Sequence, residues 1–196
     1  VFLFNPMNRR VQEGVDKFFF RKKFDYKETV ISVSNALTSV LDLTEVIKRI
    51  ISTVKKEMFI DTVGIILTEP RKGACRTIFM DEGPDQAENN AKDVCIPYDD
   101  PLLALVSHEK KLITKYDIAE NPHYHNMKEQ CSQRFSEMGA SVMIPFIYQG
   151  EVKGALAVGH KKSGHFYTRE DIDLFQTLAS HGAVALENAR MAEQMK

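Results

Sequence analysis

The chain has 196 residues, of which 43% are apolar and 27% charged, and a formal net charge of −1. That length allows one domain of ordinary size with extensions, and the apolar share excludes a disordered composition. A near-zero charge gives no general field for nucleic acid, so charge must act through local patches.

The three cysteines, Cys75, Cys95 and Cys131, stand too far apart for a redox or zinc CxxC pair and read as reduced thiols in a cytoplasm. No apolar run reaches the roughly 18 residues a membrane helix needs, and no segment has the pattern of a signal peptide. The chain opens on Val1 and closes within a helical pattern at Lys196, as expected of a piece of a longer protein.

Residues 1–25 interleave Phe2, Phe4, Val11, Val15 and Phe18–Phe20 with Arg9, Arg10, Lys17, Arg21, Lys22 and Lys23. Such a basic amphipathic stretch suits a linker on the cytoplasmic side of a membrane span, and it suits equally a surface helix packed on a neighbour. Two helix starts follow, Asp25 with Glu28 and Asp42 with Glu45, each a capping oxygen answered by a glutamate three residues on. The second helix places Val46, Ile47, Ile50, Ile51, Val54 and Met58 on one face.

Thr62–Thr68 and Ala74–Met80 read as a hairpin around the turn-rich residues 69–73, and the acidic stretch 81–93 as a mobile loop before a strand at Val94–Pro97. Asp99 or Asp100 followed by Pro101 starts a helix, since proline suits the first helical turn. A strand at Lys111–Thr114, an irregular stretch over 115–126, and a short, loosely held helix carrying Met127, Cys131, Phe135 and Met138 come next. Ser141–Tyr148 and Glu151–Gly159 form a second hairpin around Gln149-Gly150, with Pro145 at a bulge or facing an unpaired site.

The last helix runs from about Thr168, with Asp171 completing its cap, to Lys196. Its first half buries Ile172, Phe175, Leu178 and Ala179, while Gly182, Ala185, Ala189 and Ala192 offer a small-residue stripe for a helix of another chain. The order of elements implies an α+β fold, with a mostly antiparallel sheet and helices on its faces.

Residues 26–190 resemble a GAF domain, most closely at Ile96-Pro-Tyr-Asp-Asp-Pro-Leu-Leu103 and across Gly139–Gly159, with Phe166–Phe175 and Ala183–Arg190 similar to the closing helix of the family. The segment Phe4–Arg10 through Asp25-Tyr26 resembles the linker that follows the membrane region of some bacterial sensor histidine kinases. The resemblance implies a six-stranded or similar sheet, the first, second and last helices bundled on one face, and a pocket under the loops and short helices of the other. It divides the chain into a juxtamembrane linker at 1–25, a sensory domain at 26–190 and the start of an output helix at 191–196.

The pocket residues it implies are Phe79, Tyr98, Met127, Phe135 and Met143. No cofactor, metal or catalytic residue is indicated. His123 and His125 lack further ligands at close spacing and read as a solvated loop. A thiol-dependent methionine-sulfoxide reductase, as some GAF-fold proteins are, would need a different placement: Cys95 precedes the Ile96-Pro97 strand and Cys131 lines up with core residues. Photoreceptor members attach a bilin at a cysteine beside a histidine, whereas Ser132 follows Cys131.

The expected function is therefore a non-catalytic sensory domain of a bacterial two-component protein, the cytoplasmic part of an inner-membrane protein anchored upstream of Val1. It would bind an unidentified small molecule, form a homodimer and signal through its last helix, with no nucleic-acid partner. The alternatives are a ligand-free dimerisation scaffold and a regulatory domain of a nucleotide cyclase or transcription regulator.

Overall fold

The computed structural model describes residues 28, 30–37, 40–68, 96–97 and 99–195, and the backbone of 75–80. The segment 1–25, the cap at Asp25, the loop 81–93, Cys95 and Tyr98 lie outside the described residues. Helix α1 covers 30–37 and α2 covers Leu43–Glu57. Asp42 caps α2 by accepting from the backbone N–H of Glu45 at 2.8 Å. The Glu45 carboxylate takes the Arg49 guanidinium at 2.7 Å.

Strands β1 (Val63–Leu67), β2 (Cys75–Met80), β3 (Ile96–Pro97), β4 (Ile113–Thr114), β5 (Val142–Tyr148) and β6 (Glu151–Val158) form one sheet in the order β3-β2-β1-β6-β5-β4. Every pairing is antiparallel. The β5–β6 hairpin turns through Gln149 and Gly150 at φ 50 and 79, both left-handed, which fits the twist of two antiparallel strands. β5 has a shift of register between Phe146 and Ile147, one residue past Pro145. Its outer side pairs with β4 only at Val142 and Met143, so Pro145 stands where β4 has already ended. A missing N–H costs little there.

Alternation along the strands feeds two cores. Val63, Ile65, Leu67, Val142, Ile144, Phe146, Leu156 and Val158 pack beneath α1, α2 and α6 (Arg169–Gln194). Ile66, Met143, Ala155 and Ala157 face α3 (Pro101–Glu109), α4 (Lys115–Glu120), a 3₁₀ helix (Pro122–Met127) and α5 (Lys128–Glu137).

The stretch 115–126, expected to be irregular, is thus largely helical. Thr114 and Asp117 cap α4 reciprocally, and Asn121 caps the turn that follows by accepting from His123 N–H. Helix α5 is also better anchored than its apolar content suggested, because Cys131 and Phe135 are fully buried. Gly139, at φ 60, ends the segment as expected.

Candidate functional site

The expected pocket face is built on small residues of β6. Ala155 and Ala157 leave room above the sheet, and Tyr124, Cys131, Phe135 and Met138 fill it from the 3₁₀ helix, α5 and the residue after it. Of the expected lining residues, Phe135 and Met143 are both fully buried in this cluster and Met127 packs half-buried against it. Phe79 occupies the register position opposite Ile65, a residue of the α2–α6 face, while Ile78 stands opposite Ile66, a residue of the pocket face.

A buried ion pair, unreadable from sequence, ties the roof of this face together. Asp100 is 4% exposed, and its Oδ1 accepts from the N–H groups of Leu102 and Leu103 at 3.1 Å each. Its Oδ2 accepts from Arg134 Nε at 2.7 Å, and Arg134 also reaches Glu137 at 2.6 Å. The first turn of α3 is thereby fastened to α5, beside an open groove of about 220 Å³. A second cleft, of about 240 Å³, lies where Leu112 and the outer edge of β5 meet Gln176 and Ser180 of α6.

Burial pushes the Cys131 thiol up from 9.0 to about 11, and the Asp100 charge acts in the same direction. A thiol so held is protonated at neutral pH and is a poor nucleophile. Because the folded state keeps this proton longer than the unfolded chain, its contribution is complete below pH 9 and is lost as pH rises through 11. Urea unfolding should show the wild type losing about 2 kcal/mol more than Cys131→Ala across that interval.

His123 and His125 are exposed, and His123 meets Tyr124 edge-on at 5.5 Å. No group of three or more metal-ligating side chains occurs among the described residues.

The small-residue stripe of α6 has a different setting from the one expected of it. Gly182, Ala185 and Ala189 are buried inside the chain's own fold, against α2 and the sheet, and Ala192 is half-buried. A Cβ at Gly182 would stand 3.0 Å from Ile50 and 3.1 Å from Phe146. The small residues serve a close approach of helix to helix and sheet within one molecule. The helix is anchored as far as Ala189, not only to Ala179.

The outward side of α6 carries another seam. Thr177, His181, Val184, Asn188, Met191 and Met195 follow one another at alternating steps of four and three. Val184, Met191 and Met195 are 37%, 46% and 82% exposed, and Thr177, His181 and Asn188 are half-buried. That spacing is the coiled-coil repeat.

The sequence pattern of the family described as GAF domain matches residues 40–187. Among solved structures, the chain is similar to the GAF domain of a phosphoenolpyruvate-protein phosphotransferase from Coxiella burnetii, at 18% identity and TM-score 0.63, covering 86% of this chain and 96% of that one. It is similar to the GAF domain of a two-component sensor histidine kinase from Bacillus halodurans, at 17% identity and TM-score 0.56, covering 79% and 100%. It is also similar to a free methionine-R-sulfoxide reductase from Neisseria meningitidis, at 15% identity and TM-score 0.56, covering 85% and 91%. Among curated protein sequences, none matches the chain. With three-quarters of its length on the family pattern and the six-stranded sheet between two helical layers, the chain belongs to the GAF domain family.

Proposed function

We propose that this chain is a non-catalytic regulatory module of a bacterial signal-transduction protein, a sensor histidine kinase in the first instance, and that it works as a homodimer paired along α6. The observation that carries the reading is the outward seam from Thr177 to Met195. It lies on a helix of 26 residues, about 39 Å long. Met191 lies in its last turn and Met195 just past its end, both beyond the last buried residue, Ala189, where a second helix can reach them.

One feature of the seam favours a second copy of the chain. Polar residues at inner positions of a helix pair fix register and orientation, and His181 and Asn188 alternate with Val184 and Met191 in that manner.

The input is an unidentified small molecule at the face of α3–α5, where the fully buried Phe135 and Met143 and the half-buried Met127 must repack to admit it. Methionine side chains repack around varied apolar ligands. Binding shifts the output only if affinity differs between two arrangements of the helix pair. The basic segment 1–25 joins the domain to a membrane anchor on the input side.

Light scattering on the 196-residue chain tests the reading. A concentration-dependent dimer is expected, and a chain that stays strictly monomeric at high concentration would sink it.

A further inference from the structure

Residues 115–138, from α4 through α5, form a single outer layer over the input face. Ile118, Tyr124, Cys131, Phe135 and Met138 are buried on its inner side, against Met143, Ala155 and Ala157 of the sheet. Its other side is open, with Tyr116, Glu120, Glu129, Gln133 and Glu137 exposed. The layer contains no strand, so no ladder of backbone bonds holds it to the sheet.

It is instead tied within itself. The Lys128 ammonium donates to the Ala119 carbonyl at 2.6 Å and joins α5 to α4, while the Lys115 ammonium donates to Ser136 Oγ at 3.0 Å and joins the two ends. Those ends also leave the sheet side by side. Lys115 N–H donates to the Ser141 carbonyl at 2.8 Å, and Gly139, at a left-handed φ of 60, leads from α5 towards β5. A segment held at two adjacent points can turn about them as one piece, with the change absorbed by a few residues at element ends.

Beyond the cap at Thr114, two side-chain polar contacts join this layer to the rest of the chain among the described residues. The exposed Lys111 meets the Tyr124 hydroxyl. The other contact is the Asp100–Arg134 pair, at 2.7 Å, with side chains 2% and 25% exposed. At that distance there is no slack, and α5 cannot turn about Gly139 without parting the pair. Asp100 would keep the N–H groups of Leu102 and Leu103 but lose the guanidinium that balances its buried charge, which is a costly loss. The closed arrangement is therefore held at one well-defined place.

We propose that the Asp100–Arg134 pair is the latch of a lid. Residues 115–138 lift as one piece about Lys115 and Gly139 when the pair parts, and this opening admits a small molecule to the face that Phe135 and Met143 fill. The role as a gate rests on that face being the input. A ligand bound beneath the layer acts by holding Arg134 away from Asp100, and so biases two discrete arrangements.

Cys131 reports the opening, because its side chain is fully buried while the lid is closed. Iodoacetamide labelling of the 196-residue chain, with the mass of the Cys131 peptide as readout, gives the rate. Wild-type Cys131 should be labelled at least about tenfold faster than global unfolding allows, with a shallower dependence on urea. Arg134→Met should raise that rate by about tenfold more, the same factor by which it raises the unfolding constant, since the lifted and unfolded states both lack the pair. Asp100→Asn keeps an acceptor for Leu102 and Leu103 and should act in the same direction, which covers a failure of Arg134→Met to fold. A Cys131 rate that never exceeds the unfolding limit overturns the proposal. So does a variant that lowers global stability and leaves the Cys131 rate unchanged, because the pair then stays closed throughout the opening. No ligand and no second copy enters the measurement, so its failure is distinct from a failure of the input reading, which a ligand screen decides, or of the pairing of α6.

Discussion

Replacing Gly182 by leucine should lower the unfolding free energy by about 3 kcal/mol, read from the urea midpoint at unchanged slope. Even one added carbon at this position would stand 3.0 Å from Ile50 and 3.1 Å from Phe146. A leucine brings three more into a site where both neighbours are fully buried and have no free volume to move into. α6 must then lift from α2 and β5, opening the core that also holds Leu178, Ala185 and Ala189. The control is Ala192→Leu, on the same small-residue pattern but half-buried near the end of the helix, where a change within about 0.5 kcal/mol is expected. Equal losses at both positions would contradict the packing described for Gly182.

Asp171→Ala should cost a comparable amount, about 2–4 kcal/mol, through electrostatics and not volume. Asp171 is 2% exposed, and its Oδ2 accepts from Thr168 N–H at 2.6 Å, from Thr168 Oγ1 at 2.8 Å and from the Lys161 ammonium. Alanine removes the reciprocal half of the capping box, leaving the bond from the residue 171 N–H to Thr168 Oγ1, and strands a lysine whose side chain is only 17% exposed, beside the ring of Tyr167. Tyr167 in turn donates to the Gly159 carbonyl at 2.8 Å and packs edge-on against Phe175 at 5.2 Å. One carboxylate therefore joins the end of β6, the connecting loop and the first turn of α6. Asp171→Asn keeps an acceptor for Thr168 N–H and should recover part of the loss, which a role confined to the Lys161 ion pair would not allow. Urea unfolding of the two variants side by side measures the division.

These two residues also show how far the sequence could be read. Thr168 and Asp171 stand at the spacing of a reciprocal cap, and the structure has that cap; the lysine ten positions earlier could not be assigned to it, because a loop of unknown path intervenes. The Asp100–Arg134 pair was hidden for the same reason: Asp100 before Pro101 is visible as a cap, but nothing local links it to a residue on another helix. Helix α4 was missed although Thr114 and Asp117 carry its signal, since six residues are too few for an apolar period to emerge. Phe135 and Met143 were placed together through the family likeness, and both lie in one cluster.

The small-residue stripe of α6 was legible as a close-approach surface and misassigned as to partner. Glycine and alanine at helical spacing state that something comes near, and α2 of the same chain satisfies that as well as a second molecule does. With that face occupied, the pairing we propose falls to the opposite one. Its sequence signal was weaker, because Thr177, His181 and Asn188 interrupt the apolar residues.

Pairing of α6 through its outward seam is the central claim, and the mass of the Val184→Glu, Met191→Glu double variant in solution tests it most directly. Both side chains are partly exposed and outside the core, so the variant should keep the wild-type melting temperature. In light scattering, the wild type is expected at the mass of a dimer and the variant at that of a monomer, because a parallel pair would set like charges against each other at both positions. A variant that remains dimeric with its fold intact would contradict the account.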